Sequence, residues 1–367
     1  MSARAADPVE AIDTPALVID LDAMQRNLQR LAAFARDHQV RLRPHAKMHK
    51  SAVIAQLQVE SGAVGVCVQK VGEAECLAAR GVTDIFISNE VIAPHKLARL
   101  AELARRIRIS VAVDSALGVQ QLALALRKAG SHADVFVEVD VGQGRCGVPA
   151  TAAGALAHQV VAAGLKFVGL QAYHGSAQHV RDAAERAAAV RHAVTLARSA
   201  QASVTSLGLA CPLITGAGTG SFVHEAASGV YGELQAGSYL FMDRDYADNQ
   251  ASPGAPAFEH ALFIKSQVMS RGNSHAVIDA GHKAYAVDSG PPVVWGRDLA
   301  FAGCSDEHGT LRPRGDALPA LGDTVWLIPG HCDPTVNLHD HYVVVRGGLA
   351  NGRVEALWTI DARGAMT

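Results

Sequence analysis

Short apolar runs alternate with stretches of helical spacing from residue 40 onward, and no other property of the chain limits its fold as sharply. A parallel strand buried on both faces reads as an unbroken apolar run, and it reaches its neighbour only through a crossover, usually a helix. Eight such runs lie at residues 40–45, 64–68, 84–88, 107–113, 134–140, 166–173, 213–216 and 233–237. Helical spacing fills most of the gaps, as at residues 96–106, 117–128 and 181–199, with weaker seventh and eighth links. Eight strands predict a closed (β/α)8 TIM barrel rather than an open sheet. After about residue 255 the pattern changes to strand-like runs at 261–269, 275–279, 324–328, 342–346 and 354–360, with turns such as Asn351-Gly352 and little helix. A further strand at 16–20 precedes the first helix (22–37) and is surplus to the eight. The expected organisation is a barrel over residues 21–250 and a smaller, mainly β domain built from residues 1–20 and 251–367.

Composition agrees. A barrel of about 250 residues plus a smaller domain accounts for the length of 367. Apolar residues form 49% of the chain and charged ones 19%, which supports a large core and argues against disorder. The net charge is -2 with Lys and Arg scattered, so nothing marks a nucleic-acid or anionic-membrane surface and the substrate is expected to be small. Residues 1–8 carry no apolar signal core, and no run approaches the roughly 18 apolar residues of a membrane span. A soluble, cytoplasmic protein is expected. Cys67, Cys76, Cys146, Cys211, Cys304 and Cys332 are widely spaced without a CxxC pair, and are read as reduced structural thiols.

Several segments at predicted strand ends carry chemistry. Residues 41–50 pack Arg41, Arg43, His45, Lys47, His49 and Lys50 around the end of the first barrel strand. The C-terminal strand ends of such a barrel build its active site, so Lys47 there can present an amine to a carbonyl cofactor. A solvated basic loop is the alternative, made less natural by Pro44 and the flanking histidines. After the fifth strand, Gly142-Gln143-Gly144-Arg145-Cys146-Gly147 satisfies GxGxxG literally. A dinucleotide reading fails, because Pro149 delays the helix and no acidic residue ends the next strand. The glycines instead allow a tight turn that points Arg145 into the barrel mouth, or leaves it on the surface. The segments 215–221 and 237–239 follow the seventh and eighth strands, where barrels commonly bind phosphate through exposed backbone N–H groups. Tyr173, His174 and His179 follow the sixth strand. In the β domain, His331 and Asp333 are two apart and would share one side of an extended segment, as a divalent-metal pair would. On these residues alone, a capped loop is the simpler reading of that segment.

Taken together these residues resemble the D-threonine aldolase family, part of the alanine-racemase-like (fold type III) class of pyridoxal-phosphate enzymes that also holds D-serine dehydratases and 3-hydroxyaspartate aldolases. The resemblance runs from Thr14-Pro15-Ala16-Leu17 through Arg43-Pro44-His45-Ala46-Lys47, Ile87-Ser88-Asn89-Glu90, residues 140–147, Gln171-Ala172-Tyr173-His174-Gly175-Ser176 and residues 233–239 to Asn337-Leu338-His339-Asp340. It implies that Lys47 forms a Schiff base with pyridoxal 5'-phosphate, that Arg145 hydrogen-bonds the pyridine nitrogen beside Tyr173, and that Gly218, Thr219, Ser238 and Tyr239 hold the phosphate. It also implies that His331 and Asp333 bind a divalent metal and that His179 is a catalytic base, with metal-bound hydroxide the other candidate.

Relatives that dehydrate D-serine carry a thiolate two residues after the metal histidine, whereas this chain has Asp333; Cys332 falls between the two ligands and faces the wrong way. A carboxylate ligand favours manganese, magnesium or cobalt over zinc. The expected reaction is retro-aldol cleavage of D-threonine and related D-3-hydroxy amino acids to glycine and an aldehyde. Two rivals stand beside it: a D-serine or D-threo-3-hydroxyaspartate dehydratase, and a non-catalytic pyridoxal-phosphate carrier. Metal and cofactor are expected on different domains with separate ligands, and the family tendency is a homodimer.

Overall fold

The computed structural model describes residues 3–367. Strand β1 (Ala16–Asp20) leads into α1 (Leu21–Asp37), where Leu21, Met24, Leu28 and Leu31 recur at three- and four-residue steps and are buried. Asp20 caps that helix, its side chain accepting from the Ala23 N–H at 3.1 Å.

The barrel strands are β2 (Arg41–Leu42), β3 (Val66–Val68), β4 (Asp84–Glu90), β5 (Arg108–Val113), β6 (Asp134–Glu138), β7 (Lys166–Ala172), β8 (Ile214–Gly216) and β9 (Glu233–Leu234), all paired in parallel. β9 pairs back onto β2. The ring closes where the Val64 N–H donates to the Leu42 carbonyl at 2.8 Å and the Cys67 N–H to that of Pro44 at 2.9 Å.

Side chains alternate across these strands as the pleat requires. Val66, Val68, Ile85, Ile87, Val135 and Val137 point outward against Leu97, Leu100, Leu122 and Leu126 of α4 (Pro94–Leu103) and α5 (Ala116–Ala129). Cys67, Phe86, Ala112 and Phe136 point inward and form their own cluster, with the two rings 4.6 Å apart. The crossover after β7 is the long helix α7 (Ala183–Ser206). Those after β8 and β9 are only α8 (Phe222–Ala227) and α9 (Arg244–Ala247), the physical basis of the weak last two links in the sequence.

The second sheet has nine strands. β1 sits inside it, antiparallel to β10 (Leu262–Arg271) and parallel to β16 (His341–Arg346), which pairs with β17 (Arg353–Thr359). β10 also pairs with β11 (Ala276–Ile278) and β15 (Thr324–Ile328). Three strands were not legible beforehand: β12 (Val293–Val294), β13 (Leu299–Cys304) and β14 (Gly309–Pro313). They are short or partly exposed, and the Leu-Ala-Phe-Ala-Gly-Cys run of β13 has no apolar–polar alternation. The six cysteines are all unpaired. No helix among the described residues is long and apolar enough to cross a membrane.

A buried arginine with two carboxylate partners ties the barrel seam together. Arg43, 3% exposed, lies 2.5 Å from Asp84 and 3.2 Å from the fully buried Glu233. Arg41 meets the same glutamate at 2.9 Å but is itself 45% exposed. Arg43→Ala is expected to destabilise the fold by about 3–5 kcal/mol because it removes the one buried cation between Asp84 and Glu233, leaving them only the exposed Arg108 and Arg41, and Arg41→Ala by less than about 1 kcal/mol. Comparable losses of thermal midpoint in the two variants would contradict this account.

Candidate active site

Lys47 lies in a single 3-10 turn (Ala46–Met48) immediately after the first barrel strand, so its side chain opens into the barrel mouth. Its Nζ is 3.4 Å from Oδ2 of Asp333, and the charge of that carboxylate holds the ammonium above the ordinary lysine range. Lys50, three residues on, is instead buried against Glu73 at 2.5 Å. The neighbouring His45 is within 2.9 Å of Gln69 and 3.3 Å of the Ser88 hydroxyl. Burial, with the positive charge of Lys47, holds His45 well below the usual imidazole range, so it stays neutral.

The glycine-rich loop after β6 wraps around Asp140, whose Oδ1 accepts from the N–H groups of Gly142 (2.9 Å) and Gly144 (3.0 Å). These backbone bonds, Gly144 first, hold its carboxyl below the usual range. At Gly147 (φ +101°) a Cβ would stand 2.5 Å from the Asp140 nitrogen, so that glycine is required by close approach of backbone to backbone. The loop delivers Arg145 to the cavity, with its guanidinium carbon 5.7 Å from the centre of the Tyr173 ring. Burial raises the Tyr173 phenol above its usual range.

Gly218 and Thr219 after β8, and Gly237 and Ser238 after β9, line the opposite wall. A Cβ on Gly218 would meet Gln178 at 2.5 Å and one on Gly237 the His45 carbonyl at 2.9 Å, so both loops are pressed against their supports. The Tyr239 N–H donates to Thr219 Oγ1 at 2.9 Å, joining the two loops. Tyr239 itself does not line the cavity: its ring is buried and its hydroxyl lies 3.4 Å from Gln58.

His179 ends a short 3-10 helix (Ser176–His179). Its Nδ1 is 2.7 Å from Oδ2 of the buried Asp245, which leaves Nε2 as the nitrogen able to exchange a proton.

His331 and Asp333 do not share one side of an extended segment as expected. His331 is the N-cap of α10 (Cys332–Val336) and Asp333 lies in its first turn, which brings Nε2 within 3.8 Å of Oδ1. His331 Nδ1 is 2.7 Å from Oδ2 of Asp288. Oδ1 of Asp333 is buried and has no hydrogen-bond partner. An imidazole held through one nitrogen, with the other facing an orphaned carboxylate oxygen, fits a divalent cation. Cys332 packs into the core and away from the cavity. Lys47 and Asp333 stand on different domains, and they meet directly across the domain boundary. Asp288 and Asp245 escaped sequence reading. Each lies in irregular or short structure without a motif around it, and only the folded chain brings it to its histidine.

His45, Lys47, Arg145, Tyr173, His179, Gly218, Thr219, Gly237, Ser238, His331 and Asp333 line one cavity of about 320 Å³, a size suited to a small molecule. The sequence matches the profile of the alanine racemase, N-terminal domain over residues 19–245, and that of a serine dehydratase domain over residues 261–345. It is 49% identical to the D-threonine aldolase of Arthrobacter sp, across 99% of this chain and 96% of that protein. It is 44% identical to the 3-hydroxy-D-aspartate aldolase of Paracoccus denitrificans, across 96% of this chain and 92% of that one. The structure of a D-threonine aldolase from Filomicrobium marinum is similar over 100% of both chains, with a TM-score of 0.97 and 47% identity.

Asp288→Asn is expected to weaken divalent-cation binding by about 10–100-fold, because the carboxylate that orients His331 is lost. Titration with manganese measures it, and an unchanged dissociation constant would mean that Asp288 does not support the pair.

Proposed function

We propose a function from one premise: the chain belongs to the family built on the alanine racemase N-terminal domain, within its D-threonine aldolase group. It is a carbon–carbon lyase. Its substrates are D-threonine and related D-3-hydroxy amino acids, cleaved between Cα and Cβ to glycine and an aldehyde. The observation that carries this reading is the 3.4 Å approach of Lys47 Nζ to Asp333 Oδ2. It sets an amine and a metal-type carboxylate within the span of one 3-hydroxy amino acid.

Lys47, Arg145, Tyr173, Gly218, Thr219 and Ser238 would hold pyridoxal phosphate, Lys47 by its amine and the two loops by their N–H and hydroxyl donors. Tyr239 supports that cradle through its N–H bond to Thr219. Bound there, the cofactor supplies an electron sink for the charge left on Cα when the bond to Cβ breaks. His331 and Asp333 would hold a divalent cation whose Lewis acidity lowers the pKa of a hydroxyl. The oxygen of Asp333 favours manganese, magnesium or cobalt over zinc.

His179 takes the proton of the substrate hydroxyl at Nε2, while Asp245 fixes the tautomer and steadies the positive ring that results. Arg145 would donate a hydrogen bond to the bound cofactor's ring without releasing a proton, which would moderate the sink and limit competing chemistry at the α-proton. The dehydratase reading lacks a ligand, since Asp333 stands where a thiolate would be needed and Cys332 is buried elsewhere. Family membership also supports a cytoplasmic homodimer.

With cofactor and manganese supplied, D-threonine and D-allo-threonine are both expected to yield glycine and acetaldehyde, because fixed cofactor and metal ligands select the hand at Cα while tolerating either at Cβ. Ammonia and a 2-oxo acid as the main products, or comparable turnover of L-threonine, would overturn the assignment. His179→Asn is expected to lower kcat by about 10²–10⁴-fold with the cofactor's absorption unchanged. A loss of less than about threefold would remove His179 from the role of base.

A further inference from the structure

Behind Arg145 lies a group of acceptors that the reaction does not use. Glu90 and Glu138 end β4 and β6, Asp114 follows β5, and the glycine-rich loop folds Cys146 back onto them. Ligand atoms of Glu90, Asp114 and Cys146 all lie within 4.8 Å of one another. Glu138 is 3% exposed and its carboxyl faces that of Glu90. Three of the oxygens, Oε1 and Oε2 of Glu90 and Oε2 of Glu138, are buried without a hydrogen-bond partner. The loop is pinned to the same group by the Gly147 N–H, which donates to Asp114 Oδ2 at 3.3 Å.

Buried carboxylates are ordinarily paired, hydrogen-bonded or protonated, and here no donor of the protein answers these three oxygens. Without a counter-ion the group must retain protons. Burial, then the charge of Glu90, pushes Glu138 up to about 9, and the same two causes push the Cys146 thiol up to about 11. Glu90, Asp114 and Cys146 are each only partly buried as residues, although both Glu90 carboxylate oxygens are themselves enclosed.

We propose that Glu90, Asp114 and Cys146, with the buried carboxyl of Glu138 beside Glu90, form a second divalent-cation site, distinct in its ligands from His331 and Asp333. Two carboxylates with one thiolate select a borderline ion such as zinc or cobalt over magnesium. None of these residues lines the cavity, so the ion is structural: it ties the ends of β4 and β5 to the loop that presents Arg145. Binding displaces the thiol proton and any carboxyl proton, so affinity falls as the pH is lowered.

The test uses the His331→Ala/Asp333→Ala holoenzyme, stripped with chelator and equilibrated with cobalt. It should retain one cobalt per chain by elemental analysis and show a near-ultraviolet thiolate-to-cobalt charge-transfer band. Adding Cys146→Ser should abolish the band, and adding Glu90→Gln should weaken cobalt binding by about tenfold or more. In the otherwise unaltered holoenzyme, cobalt should slow alkylation of Cys146, read on its peptide by mass spectrometry; this arm stands even if a multiple variant fails to fold. A metal-free His331→Ala/Asp333→Ala protein, a band that survives Cys146→Ser, or alkylation of Cys146 indifferent to saturating cobalt would each overturn the site.

Discussion

The hydrogen bonds from Val64 and Cys67 to the carbonyls of Leu42 and Pro44 close eight parallel strands into a ring, and the cavity exists because of that closure. A closed parallel ring sends all eight C-terminal strand ends to one mouth. Lys47, Arg145, Tyr173, Gly218 and Ser238 come from five different strand ends, and separate crossovers bring them round a cavity of about 320 Å³. The seam itself is reinforced from within by Arg43, which faces Asp84 and Glu233 across strands that are far apart in sequence.

The second sheet supplies the missing wall. β1, the first strand of the chain, lies between β10 and β16, so the β domain is assembled from both sides of the barrel in sequence. That arrangement docks α10 against the 3-10 turn of Lys47 and lets a single aspartate divide its two oxygens. Oδ2 holds the lysine ammonium, while Oδ1 is left facing His331. The two histidines nearest the chemistry are each fixed through Nδ1 by an aspartate, His179 by Asp245 and His331 by Asp288.

Arg145 is held from two sides. Its front rests over the Tyr173 ring, and its loop is wound around Asp140 and anchored to Asp114. Behind it, three buried carboxylate oxygens of Glu90 and Glu138 have no hydrogen-bond partner. Their placement gives the loop an electrostatic anchor of its own, independent of the sheet that carries His331 and Asp333.

Local pattern alone determined the barrel, the β character of the second domain and the strand-end position of Lys47, because buried parallel strands and their crossover helices write a periodic signal along the chain. The weak last links were legible too, and they are the short helices α8 and α9. Tertiary structure decided what no period encodes. Residues 331–333 turned into a helix cap instead of an extended run, because the capped turn sets His331 against Asp288, 43 positions earlier in the chain. Tyr239 left the cavity because its ring fills the core while its N–H joins the loops. The contact between Lys47 and Asp333 crosses two domains and 286 positions, and such a contact depends only on how finished elements pack, which local residue order does not record.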